Sequence, residues 1–80
     1  AMRNRFLVSY DVTDDKRRGR IFKLLRGFGD HAQYSVFRCD LSRQELAQLR
    51  AALESEIDAE EDQVLLADLG PADGRAAQCV

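Results

Sequence analysis

Eighty residues with a net charge of -2 and a pI near 5.3 make one small domain whose acidity argues against a general nucleic-acid coat protein. No run approaches the ~20 apolar residues of a membrane helix, and the N-terminus has no apolar signal core. Two cysteines forty residues apart, Cys39 and Cys79, with a single histidine and no CxxC, exclude a zinc site and a disulfide framework, leaving buried thiols of a cytoplasmic protein as the expectation.

A chain this short buries only about 60% of its unfolded surface, so its core is thin and a homodimer is the economical way to enlarge it. Ala1 before Met2 reads as an added residue, and a single domain is expected over residues 2 to 80. Charge is uneven. Residues 1 to 40 hold nine basic and five acidic side chains, whereas residues 41 to 80 hold three basic and nine acidic. One half suits phosphate and the other repels it.

In chain order, residues 5 to 10 (RFLVSY) alternate and read as a strand. Thr13 is placed to cap a helix with Asp14 and Asp15 in its first turn. In that helix Ile21, Leu24, Leu25 and Phe28 share one face, and Gly27 and Gly29 end it. Residues 30 to 40 (DHAQYSVFRCD) lack helical period and fit either one bent strand or two short strands in a hairpin. Ser42 and Glu45 form a capping box, followed by a helix with Leu46, Leu49, Leu53 and Ile57 on one face. An acidic stretch from Glu54 to Asp62 leads into an apolar strand, Val64 to Leu69, which Gly70-Pro71 breaks. Asp73-Gly74 suits a turn, and residues 76 to 80 offer a possible extra C-terminal strand. With right-handed crossovers this order closes into an α+β, ferredoxin-like βαββαβ sandwich: an antiparallel sheet with two helices on one face. The bare face, or an unpaired edge, is then the natural dimer surface.

Asp11 ends an apolar strand, where a carboxylate is a hard oxygen ligand of the kind magnesium takes one or two at a time. A twofold axis near it would bring in a second copy and complete a shared site. An Asx-turn role at the entry to the helix is the plainer reading. Lys16, Arg17, Arg18, Arg20, Lys23 and Arg26 set six positive charges against Asp14 and Asp15, the kind of display that binds phosphate backbones without sequence selection. A solvated helix face is the alternative. Tyr10, Tyr34 and Phe37 offer rings for base stacking or for the core, and His31 is a base near neutral pH or an exposed turn residue. No P-loop, GxSxG or HExxH is present.

Taken together, VSYDVTDD, RRGRIFKLLRGFG, AQYSVFRCDLS and VLLADLG resemble the small CRISPR-associated adaptation protein family, Cas-two, over Met2 to Leu69. The resemblance implies a ferredoxin-like homodimer in which Asp11 and its twofold mate hold one magnesium ion at the dimer axis, with Asp11 the catalytic residue. Tyr10, Arg18, Arg20, Ser35 and Phe37 would line that site, Arg18 and Arg20 meeting phosphate. Members are described as metal-dependent endonucleases on single-stranded RNA or double-stranded DNA, and as non-catalytic bridges between CRISPR integrase dimers during spacer acquisition. The resemblance therefore also implies integrase, DNA and RNA partners. This chain departs from the family in carrying His31 where many relatives have an arginine, and in stopping at Val80 where the family's last strand commonly continues onto its partner. A toxin-like ribonuclease of the virulence-associated group shares the fold and is the competing reading.

Overall fold

The structure is a computed structural model, which describes residues 2 to 73. Strand β1 (Asn4–Asp11) leads to helix α1 (Asp15–Arg26), the pair β2 (Asp30–Gln33) and β3 (Val36–Leu41), helix α2 (Arg43–Glu56) and strand β4 (Gln63–Pro71). The sheet order is β2-β3-β1-β4. Every neighbouring pair is antiparallel. This is the expected βαββαβ sandwich, and no helix among the described residues is long and apolar enough to cross a membrane.

Alternation along the strands decides which side each residue serves. Phe6, Val8 and Tyr10 of β1 join Phe37, Cys39 and Leu41 of β3 beneath Ile21 and Leu25 of α1 and Leu49 and Leu53 of α2, and these form the core. Leu24, Phe28, Leu46 and Ile57 pack around it as the helical spacing requires. Among the described residues the opposite side has no helix above it. There Arg5 pairs with Asp40 across β1 and β3 at 2.8 Å, and Leu65 of β4 stays 62% exposed.

Residues 30 to 40 resolve into two strands. Gln33 faces Val36 across a two-residue turn, Tyr34-Ser35. The capping box of α2 is present as expected, with both Ser42 and Glu45 contributing.

Two local expectations need correction. Asp14, not Thr13, caps α1: its carboxylate accepts the Arg17 N–H at 2.8 Å, while the Thr13 hydroxyl donates to Glu61 at 2.9 Å. Gly27 does end α1 as expected, capping it in the right-handed region, where its N–H reaches the Leu24 and Leu25 carbonyls. Gly70-Pro71 does not break β4, which runs on through Pro71 opposite Asn4 after a register shift. An edge strand tolerates proline because its missing N–H faces away from the ladder, and Gly70 takes the φ of 93° that a side chain would resist. The possible strand over 76 to 80 lies outside the described residues.

Candidate functional site

Asp11 occupies the last position of β1, opposite Gln63 of β4, and is exposed. It continues the odd-numbered series Arg5, Leu7 and Ser9, so it belongs to the helix-free side of the sheet. Its neighbours in sequence are engaged: Thr13 with Glu61, Asp14 with the start of α1, and Asp15 with Arg18. The Asp11 carboxylate has no such partner among the described residues. An Asx turn therefore does not account for it, since Asp14 performs the helix entry.

A single chain does not assemble a metal site among the described residues. Among the described residues no group of three His, Cys, Asp or Glu side chains converges as a metal would require. One exposed carboxylate on an uncovered sheet face does suit a hard cation if a second copy supplies the other oxygen donors.

The basic segment is less free than its count implies. Arg17 is locked: its guanidinium donates to both oxygens of Asp62, at 2.5 and 3.1 Å, and its side chain is only 17% exposed. Asp62 also accepts the N–H groups of Asp58 and Thr13 at 2.8 and 3.3 Å. The Arg17 hydrogen bond is the largest influence on the Asp62 carboxyl, which is held down at about 2 against the opposing effect of burial. Arg17 thus ties the start of α1 to the loop before β4 and is removed from the expected phosphate display. Arg18 donates to the Val12 carbonyl at 2.8 Å and pairs with Asp15. Arg20 pairs with Glu56 at 2.9 Å but remains more than half exposed. Lys16 and Lys23 are exposed, and Arg26 lies 5.9 Å over the Phe22 ring.

Of the expected lining residues, Tyr10 and Phe37 are core. They are 5% and 0% exposed, with ring centroids 6.2 Å apart on the helix side of the sheet, away from Asp11. Neither ring can stack on a base. The Tyr10 hydroxyl is pushed up in pKa by burial, with Arg18 opposing. His31 joins the same aromatic group, 5.1 Å from both Phe22 and Phe37, and its Nε2–H donates to the Tyr34 carbonyl at 2.5 Å. It braces a turn on the helix side of the sheet, away from Asp11. Ser35 contributes its carbonyl, which accepts the Tyr10 N–H at 3.0 Å and sets the turn beside the end of β1.

Sequence reasoning missed Asp62 and left Tyr34 undecided between base stacking and the core. Asp62 was read only as the end of an acidic stretch, because nothing local announces that its carboxylate turns inward to meet a residue 45 positions earlier. Tyr34 is 84% exposed, whereas the strand pattern around it favours burial. The two-residue spacing between Gln33 and Val36 was the available signal.

Fold and site together define a ferredoxin-like α+β domain with a strand-end aspartate on its open sheet face, beside a basic helix. The sequence profile of the family described as "CRISPR associated protein Cas2" matches residues 3–75. The chain belongs to this family. It is 46% identical over 71 residues to a CRISPR-associated endoribonuclease Cas2 of Thermus thermophilus, a match spanning 88% of this chain and 76% of that protein. Identity to the Geobacter sulfurreducens protein of the same name is 42% over 72 residues, covering 90% and 76%. Among solved structures, a hypothetical protein from Thermus thermophilus superposes with a TM-score of 0.80 at 32% identity, covering 90% of this chain and 84% of that one. Streptococcus pyogenes Cas2 at pH 6.5 superposes with a TM-score of 0.77 at 31% identity, covering 82% and 86%.

Proposed function

We propose that the chain works in the cytoplasm as a homodimeric, nucleic-acid-binding bridge for the CRISPR integrase during spacer acquisition. The observation that carries this reading is the position of Asp11: an exposed carboxylate without a protein partner among the described residues, at the end of a central strand, on the sheet face that no helix covers. Two copies meeting through that face would bring two such carboxylates together and bury apolar residues such as Leu65, now 62% exposed. The outward charges of α1, Lys16, Arg18 and Arg20, would then flank the pair and neutralise part of a phosphate backbone.

A second reading draws on the relatives that carry the name endoribonuclease. In it, Asp11 and its mate hold one magnesium ion, which when bound polarises a phosphodiester and lowers the pKa of a bound water. Arg18 and Arg20 would position the phosphate. The chain's own contribution to hydrolysis is slight, since each subunit offers one carboxylate and His31 packs against Phe22 and Phe37 on the helix side of the sheet, away from Asp11. This ranks the bridge ahead of the nuclease. Family membership favours both over a toxin-like ribonuclease of the virulence-associated group.

The test compares wild type with Asp11→Ala on single-stranded RNA and duplex DNA, in magnesium and in EDTA, alongside duplex binding and assembly with the integrase. The bridge requires that binding and assembly persist in the variant. Loss of both would reject it, and magnesium-dependent cleavage abolished by the substitution would establish the nuclease.

A further inference from the structure

Tyr34 is the one non-glycine residue with positive φ among the described residues, at 44°. It is the first of the two residues joining β2 to β3, a position where a tight hairpin favours glycine because a Cβ is strained there. It is also the most exposed aromatic side chain described, at 84%, so its ring adds nothing to the core. Folding alone would be served better by glycine or asparagine. Strain of this kind persists where the surroundings hold the backbone, and here they do: His31 Nε2–H donates to the Tyr34 carbonyl at 2.5 Å, and the Ser35 carbonyl accepts the Tyr10 N–H at 3.0 Å.

That second bond fixes where the ring is presented. The turn lies against the end of β1, one residue before Asp11, and the Arg18 guanidinium reaches the same segment through the Val12 carbonyl at 2.8 Å. The turn that carries this solvent-facing ring is thereby fixed against the end of β1, the segment that runs on into Asp11 and Val12. The geometry points to Tyr34 as a stacking platform for an unpaired nucleobase, at a single-stranded segment or a frayed duplex end, whose adjoining phosphate is met by the basic side chains Lys16 and Arg18 of α1. Bases within an intact duplex are already stacked on one another, so a ring carried on a turn engages those that are not. The fixed backbone leaves little freedom to lose on stacking, which favours the contact. This inference rests on the nucleic-acid-binding reading above and narrows its ligand.

The test titrates the full chain into a single-stranded RNA carrying 2-aminopurine and into a blunt duplex of equal length, using wild type, Tyr34→Phe and Tyr34→Gly. Glycine relieves the turn, so thermal unfolding of this variant should show a fold at least as stable as wild type. The expected result is single-strand binding weakened about tenfold and 2-aminopurine quenching lost in Tyr34→Gly, with both kept in Tyr34→Phe and duplex binding unchanged. Equal single-strand binding by wild type and Tyr34→Gly would overturn the platform while leaving the nucleic-acid reading intact. Wild type binding neither probe would overturn both. A Tyr34→Gly protein that sediments as monomer where wild type is dimeric would assign the ring to the subunit interface and overturn the platform.

Discussion

A methyl group added at Gly29 and one added at Gly19 should act in opposite directions on the same 80-residue domain. At Gly29, between α1 and β2, a Cβ would lie 2.3 Å from the Arg38 carbonyl oxygen, 2.6 Å from Cys39 Sγ and 2.8 Å from Cys39 Cα. Ordinary contacts begin near 3.4 Å, so β3 must retreat by about an ångström. It has no room to do so, because Phe37 and Cys39 are fully buried and six residues of β3 are paired with β1. Overpacking of this kind costs about 1 to 3 kcal/mol, and obstruction by backbone atoms puts Gly29→Ala at the upper end, about 3 kcal/mol. Against a total of about 4 to 12 kcal/mol for a domain of this length, that is a quarter or more of the stability. At about 4 to 8 °C per kcal/mol, the midpoint should fall by roughly 12 to 24 °C. Gly19 lies within α1 with nothing within 4 Å of its would-be Cβ, so Gly19→Ala should gain about 0.8 kcal/mol of helix propensity and rise by about 3 to 6 °C. Circular dichroism melts of the three proteins at one concentration measure both. A Gly29→Ala midpoint within about 3 °C of wild type would refute the packing argument.

Asp62 should make stability depend on pH. Its carboxyl is lowered from 3.8 to about 2, chiefly by Arg17, so its contribution is complete above about pH 4 and disappears as pH falls through 2. Urea midpoints between pH 5 and pH 2 should therefore fall less steeply for Asp62→Asn than for wild type, the remaining slope including Glu45, also lowered to about 2 by Arg3. Cys39 is fully buried with its thiol pushed up to about 11, chiefly by desolvation. At pH 8 the peptide containing Cys39 should escape iodoacetamide in the native protein and be alkylated in urea, as read by mass spectrometry. Lys16→Ala should weaken duplex binding and lower the slope of log K against log salt by about one. Arg17→Ala should leave that slope nearly unchanged and lower the melting midpoint instead, since its guanidinium is spent on Asp62.

Elements defined by local pattern were readable from the chain. The apolar faces of α1 and α2 and the Ser42–Glu45 capping box depend on residues within a turn or two of each other, so spacing alone disclosed them. The end of β4 was misjudged because proline's effect depends on whether a strand is at an edge, a property of sheet order rather than of sequence. Asp11 was visible as a strand-end acid, and its freedom from the α1 cap followed only once Asp14 was seen to take that role. Summed charge overstated the phosphate-facing arginines. The partners of Arg17 and Arg20, Asp62 and Glu56, come from the acidic half of the chain, and only folding brings the halves together. Tyr10 and Phe37 were open to two uses, and the side of the sheet on which alternation placed them decided for the core.

The sheet order has a consequence for how the polypeptide is made. Strand β1 is paired on one side with β3 and on the other with β4, so Asp11 meets Gln63 across more than fifty intervening residues. Of the strands described, β1 is made before the others and is the last to be completed. While the ribosome works through α2, a nascent βαββ intermediate carries an uncovered β1 edge, open to pairing with another chain. Arrival of β4 closes that edge, and because this pairing is the most distant in sequence it is the step expected to limit the folding rate.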